Sequence, residues 1–279
     1  TLASDSFVPI KFGVKALFSS HIGIFGNTGS GKSYTLSKIY RQLFVNYKDN
    51  DNFKNNAKFL FFDFNGEYAG ENTIVSNKKV YNLSTQEKKD VLPLTNEDFL
   101  NLDLLCIFAN ATEKTQRPFI KRCINLASNI DNDTNKFKNY LRKKIIEILC
   151  MSDKVKADLL LDYVEEILPY KYDEDGQIES LRKDINFHDT NKYFYIGNKY
   201  TAYQNNIREN TDLVKNTIIY KQVDEFRFSD NFIDKFIKIM YLQLIYDVFG
   251  NRAMNEYITP AINKLKSIKT DIEKLFDFS

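Results

Sequence analysis

The sequence predicts an α/β fold whose strands form a parallel central sheet, and three stretches carry that prediction. His21-Ile22-Gly23-Ile24-Phe25 is a short apolar, β-prone run that suits a buried strand. It leads into Gly26-Asn27-Thr28-Gly29-Ser30-Gly31-Lys32-Ser33, which fits Gly-x-x-x-x-Gly-Lys-Ser/Thr without a mismatch. Further on, Phe59-Leu60-Phe61-Phe62 is an unbroken apolar run ending in Asp63. A run this short reads as a strand buried on both faces, hence parallel and central. Asp63 then lies at the carboxyl end of a strand, where open α/β sheets hold their ligands.

The glycine stretch predicts a phosphate site. After it, Leu36, Ile39, Tyr40, Leu43 and Phe44 recur at helical spacing. Strand, glycine loop and helix give inward-turned backbone N–H groups backed by the positive end of a helix. The candidate ligand-binding residues are Gly26, Asn27, Thr28, Gly29, Ser30, Gly31, Lys32, Ser33 and Tyr34. Lys32 is expected to reach the β/γ-phosphates, and the Ser33 hydroxyl to take a place on Mg²⁺. The motif therefore implies a bound nucleoside triphosphate.

The remaining elements follow in chain order. Residues 7–10 and 14–18 read as strand or turn pieces, and 46–56, rich in Asn, Asp and Lys, as a polar linker. Short extended pieces are expected at 80–83 and 91–94. Thr95 caps a helix running to about Phe108, and another opens near Gln116, with Pro118 tolerated in its first turn. Two amphipathic helices follow, marked by Phe137 to Leu149 and by Val155 to Leu168, the second stopped by Pro169. Residues 170–215 are polar, with a strand at 193–196, and 217–220 reads as a further strand. A long helix from a Ser229 cap ends at Gly250, and a last one opens at Thr259-Pro260.

Composition narrows the function classes. Lys and Arg total 39 against 37 for Asp and Glu, so a net charge of +2 gives no global polybasic field; DNA binding would need a local patch or a ring of subunits. Cys106, Cys123 and Cys150 lack C-x-x-C spacing and read as buried free thiols of a reducing compartment. Two histidines, His21 and His188, cannot assemble a histidine metal site. No run approaches a membrane span and no signal peptide opens the chain, so a cytoplasmic protein is expected. The sequence opens on Thr1 rather than Met and is open to being part of a longer protein.

Taken together, the P-loop with its preceding His21 and the later Asp63-Phe64-Asn65-Gly66-Glu67-Tyr68 resemble the HerA branch of the HerA/FtsK ATPases. Thr115-Gln116-Arg117-Pro118 is also similar to a Gln-bearing, helix-opening segment of that family. The resemblance is firm over about residues 7–130. It implies a RecA-like P-loop ATPase core with an inserted helical subdomain. On that view residues 1–130 are the first part of the core, 131–215 the helical insertion, and 216–279 the return to the core. It also implies a homo-hexamer that hydrolyses ATP with Mg²⁺ and moves along double-stranded DNA, with a nuclease or other effector in DNA repair or antiviral (anti-phage) defence. Lys32, Asp63 and Glu67 are its catalytic candidates, and Ser33 and Asp63 its metal ligands.

Two family features are missing from the sequence as read: an N-terminal β-barrel and a clear Walker B strand. Val223-Asp224-Glu225 ends in the right acid pair, but Lys221 and Gln222 interrupt the apolar run before it. The fold is therefore expected to be incomplete, and the chain to bind ATP better than it hydrolyses it. Asp63 has two readings, a carboxylate near Mg²⁺ or a cap for the following turn, and Glu67 is a candidate to polarise the attacking water. Lys136, Lys138, Arg142, Lys143 and Lys144 read either as a DNA contact or as a solvated helix face. The stripe over 232–248 reads as core or as a subunit interface, and Arg117, Arg122, Arg208, Arg227 and Arg252 are candidate trans-acting fingers. Three functions compete: a DNA translocase, a nucleotide-gated scaffold for a partner effector, and a small-molecule P-loop kinase with only the loop in its favour.

Overall fold

The computed structural model describes residues 13–19 and 21–278, so the segment expected over 7–10 lies outside the described residues. Packing divides the chain into two units, Thr1–Tyr81 and Asn82–Ser279. This division falls elsewhere than the expected boundaries near 130 and 215.

The first unit holds helices α1 (Val14–Phe18), α2 (Lys32–Tyr47) and α3 (Asp51–Asn56). The 14–18 segment is thus helical rather than strand. The expected linker over 46–56 contains α3, because the Asn50 side chain accepts from the Phe53 N–H and starts a helix in a polar stretch. The apolar runs at 21–25 and 59–62 carry no strand pairing. Instead, Phe59 and Phe61 pack on Tyr40 of α2, at ring separations of 6.0 and 5.0 Å, and Phe59 meets Phe44 at 4.8 Å. Leu60, Phe62 and Phe64 face solvent, 80%, 77% and 95% exposed. The alternation is that of an extended chain with one covered face. Burial on both faces needs a layer on each side, and α2 supplies one.

The second unit carries β1 (Leu92–Pro93), α4 (Asn96–Phe99), α5 (Leu102–Phe108), α6 (Gln116–Ile130), α7 (Thr134–Leu149) and α8 (Lys154–Ile167). Then come β2 (Lys171–Tyr172), β3 (Ile178–Glu179), β4 (Ile185–His188), β5 (Tyr193–Ile196), α9 (Ile218–Gln222), α10 (Phe232–Phe249), α11 (Asn255–Leu275) and β6 (Phe276–Asp277). The core is built around α10, which is apolar nearly all round and buried over most of its 18 residues, as a central helix must be. The stripe over 232–248 is therefore core. Phe119 of α6, Phe137 of α7, Leu160 of α8 and Ile262 of α11 belong to the same cluster.

Caps account for three departures from the predicted elements. Thr95 caps α4 as expected, but Asn101 accepts from the Asp103 and Leu104 N–H groups and starts α5 as a separate helix. The expected strand at 217–220 is α9, because the Thr217 hydroxyl accepts from the Tyr220 N–H and donates to the Val214 carbonyl. Asn231 rather than Ser229 caps α10. The last helix opens at Asn255, ahead of the predicted Thr259, with Pro260 inside it.

Strands among the described residues pair in twos: β1 with β6 in parallel, β2 with β3 and β4 with β5 antiparallel. The expected parallel central sheet is not formed among them. The observed class is a mixed helix and sheet chain with small sheets.

Candidate functional site

The glycine loop enters the N-terminus of α2 with the backbone its sequence demands. Gly29 and Gly31 sit at φ of 80° and 84°, in the left-handed region that favours glycine. At Gly26 a Cβ would collide with the Ser30 hydroxyl. The Ser30 N–H donates to the Asn27 carbonyl at 3.1 Å, closing the turn. Gly31 is the N-cap residue and offers no side-chain cap, and the first turn of α2 contains no acid. The helix therefore keeps its partial positive charge and its first amides for an external anion. The Lys32 ammonium folds back over the loop to the Asn27 carbonyl at 2.8 Å. The loop itself is exposed, Lys32 and Ser33 are half-buried, and Tyr34 is 70% exposed. These residues fit a polyphosphate.

Asp63 caps the turn that follows it. Its Oδ1 accepts from the Glu67 N–H at 3.0 Å and its Oδ2 from the Tyr68 N–H at 2.7 Å. Burial works to raise its pKa, but the amides of Tyr68, Glu67, Asn65 and Gly66 outweigh it and hold the carboxyl below its ordinary value. A carboxylate has about four lone-pair sites, so a capping Asp63 keeps acceptor capacity for a metal ion or its water. Glu67 is exposed on the same turn. Lys78, which sequence reasoning missed, stitches the next loop: its ammonium donates to the carbonyls of Tyr68, Gly70 and Thr73 at 2.8, 2.5 and 2.7 Å. No local pattern marks it, since its partners are backbone oxygens.

The candidates in the second unit resolve differently. The five cations over 136–144 do not form one basic face. Lys138 is buried and donates to the Asp224 carbonyl at 2.8 Å; burial, with Arg227 and Arg142 nearby, lowers its pKa. Lys144 is buried against Tyr246 and Phe249 and paired with Glu147. Arg142 pairs with Asp224, and the acid pair Asp224-Glu225 lies on a 3-10 turn and not at the end of a strand. Lys136 and Lys143 remain exposed.

Four of the five candidate finger arginines are engaged within this unit: Arg117 with Asp103 and Glu113, Arg122 with Asp247, and Arg208 and Arg227 with backbone carbonyls. Gln116 is buried and accepts from the Thr112 N–H at 2.8 Å while donating to the Tyr257 carbonyl at 2.8 Å. The three cysteines are free, two buried and Cys150 half-buried, and burial pushes each thiol pKa up. Among the described residues no helix is long and apolar enough to cross a membrane.

The family model described as the central domain of helicase HerA matches residues 1–275. A protein named as a probable helicase, from Methanocaldococcus jannaschii, is 30% identical over 123 residues. That match spans 44% of this chain and 21% of the relative's length. No solved structure gives a significant match. The family implies a P-loop fold. With the model matched along nearly its whole length, the chain belongs to the family of the HerA helicase central domain.

Proposed function

We propose that this chain is an ATP-binding and ATP-hydrolysing motor module of a HerA-type DNA translocase. It would work as a homo-hexamer on double-stranded DNA with a nuclease or anti-phage effector. The observation that carries the reading is the glycine loop at an acid-free, uncapped helix N-terminus, with Lys32 folded over its mouth. The order of aromatic contacts supports a nucleotide-facing Asp63. Phe59 meets Phe44 and Phe61 meets Tyr40, so the run advances toward the N-terminal end of α2 by about one helical turn per two residues. Two residues further along is Asp63.

On this reading the loop amides and the Lys32 ammonium bind the phosphates, the ammonium exchanging the Asn27 carbonyl for β/γ-oxygens. Ser33 and Asp63 would hold Mg²⁺, which supplies charge neutralisation on the phosphate oxygens when bound. Glu67 orients the attacking water and accepts its proton as the bond from the γ-phosphorus to the bridging oxygen breaks. DNA-stimulated ATP turnover by the complete protein is the test. Lys32→Ala should abolish it, and undiminished turnover in that variant would refute the reading.

A second reading is favoured by one observation, the placement of Asp224-Glu225 on a 3-10 turn with Asp224 paired to Arg142. No catalytic acid strand forms there. The chain would then be a nucleotide-gated scaffold that assembles an effector on ATP binding alone. Assembly with a non-hydrolysable ATP analogue supports the scaffold; assembly that requires hydrolysis supports the motor.

A further inference from the structure

The β4–β5 hairpin is followed by a loop, residues 197–206, that is tightly braced yet turns two large aromatic side chains into solvent. Tyr200 is 98% exposed and Tyr203 77% exposed. Ala202 between them is buried and forms a small cluster with Tyr193 and Tyr195 of β5. The Asn198 side chain accepts from the Tyr200 and Thr201 N–H groups at 3.0 and 3.3 Å. Asn205 donates to the Ile196 carbonyl at 2.9 Å, Asn186 to the Gly197 carbonyl at 2.8 Å, and the Asn205 N–H to the Thr201 carbonyl at 3.0 Å. Gly197, at φ 91°, makes the turn out of the strand. The loop is thus ordered before any partner arrives, and it presents aromatic faces that nothing in its own unit covers.

Charge points to the partner. Between Asp189 and Glu209 the chain has Lys192, Lys199 and Arg208 and no acid; Arg208 is held by the Cys150 and Lys192 carbonyls, and Lys199 is the cation of the loop itself. Its remaining polar residues are mainly amides: Asn191, Asn198, Gln204, Asn205 and Asn206. Exposed rings beside an exposed lysine, on a braced turn free of acids, match the requirements of unpaired bases and their phosphates: a π-face for stacking and a cation for the backbone. A duplex hides its base faces and would leave the rings unused.

We propose that the 197–206 loop is a stacking platform for single-stranded nucleic acid, with Tyr200 and Tyr203 taking bases and Lys199 a phosphate. The platform is independent of the glycine loop, so its failure and the failure of the motor reading are separable. The test is fluorescence anisotropy of the full chain with a labelled oligothymidylate, in the ~4–16-nucleotide range typical of such sites, against a duplex of the same length. Because the protein has no tryptophan, quenching of its tyrosine fluorescence gives a second readout. Tyr200→Ala/Tyr203→Ala should weaken single-strand binding by about thirtyfold or more, while Tyr200→Phe/Tyr203→Phe retains it. Lys32→Ala should leave it unchanged. Absence of single-strand binding by the unmodified chain, a double alanine variant that keeps its single-strand affinity, or a double alanine variant that loses duplex affinity to the same extent would each overturn the proposal. An unchanged far-UV circular dichroism spectrum confirms that the exposed-site variants are folded.

Discussion

Arg122 grips Asp247 through a single carboxylate oxygen: its Nε and Nη2 both donate to Oδ2, at 2.9 and 2.7 Å. The other oxygen accepts from Gln243 at 2.9 Å, and Asp247 is wholly buried while the Arg122 side chain is 34% exposed. The pair ties α6 to α10 in the core of the second unit. Removing one partner leaves a buried charge without compensation, which costs far more than the pair itself contributes. Arg122→Ala should therefore lower unfolding free energy by about 3–5 kcal/mol in denaturant melts. Arg122→Met/Asp247→Leu should recover most of that loss. A stability loss in Arg122→Ala that the double variant fails to recover would show that packing, not charge, holds this point.

Gln116 illustrates a residue whose family likeness and structural work are separate matters. Its side chain satisfies one N–H and one carbonyl at the N-terminal end of α6 and joins it to α11. Gln116→Leu keeps the volume and removes both hydrogen bonds, at about 0.5–1.5 kcal/mol for each, since Thr112 and Tyr257 are exposed and water can reach the freed groups. Thermal unfolding should shift down accordingly. Gln116→Glu should be destabilising too, because it sets a carboxylate against the Tyr257 carbonyl, and its penalty should shrink as the pH falls and the side chain regains a proton to donate.

The helices of the second unit were legible in the sequence because each couples an apolar stripe to a local stop or start signal. Pro169 stops α8, and the α7 stripe runs from Phe137 to Leu149. The glycine loop was legible for a stronger reason: its conformation excludes most other residues at Gly29 and Gly31. What failed was whatever depends on partners remote in sequence. Phe59 to Phe62 has the composition of a doubly buried strand, but composition does not say whether a second layer covers Leu60 and Phe62. Thr217 turned a β-branched run into a helix through one hydroxyl. Arg122 and Asp247 stand 125 residues apart, and neither position hints at the other. The division of packing after Tyr81 was likewise invisible, since no proline or glycine cluster marks it.

Asp63 gives a pH prediction whose sign follows from its depressed pKa. The carboxylate form is the one the neighbouring backbone amides favour, so its stabilising contribution is present above the ordinary value of 3.8. That contribution is lost as pH falls through the lower, folded-state value. Asp63→Asn keeps one acceptor oxygen and cannot hold both amides, so the acid limb of the stability curve below about pH 3.8 should flatten. Hydrogen exchange at the Glu67 and Tyr68 amides should accelerate in the same variant. If Asp63 also serves the nucleotide, Asp63→Asn should reduce ATP turnover at neutral pH by more than its modest stability loss explains.

The alkaline limb belongs to Tyr246. Burial, reinforced by Glu147 and Tyr140, raises its phenol from 10.0 to about 12. The folded state therefore holds this proton more tightly than the unfolded state does. The resulting stabilisation is complete below pH 10.0 and is lost as pH rises through about 12. Tyr246→Phe keeps the ring under the Lys144 ammonium, which lies 4.3 Å from its centroid, and removes the titrating proton. Denaturation curves collected between pH 10 and 12 should lose stability more steeply in the unmodified protein than in the variant. Parallel curves for the two would show that Tyr246 ionises as it does in the unfolded chain.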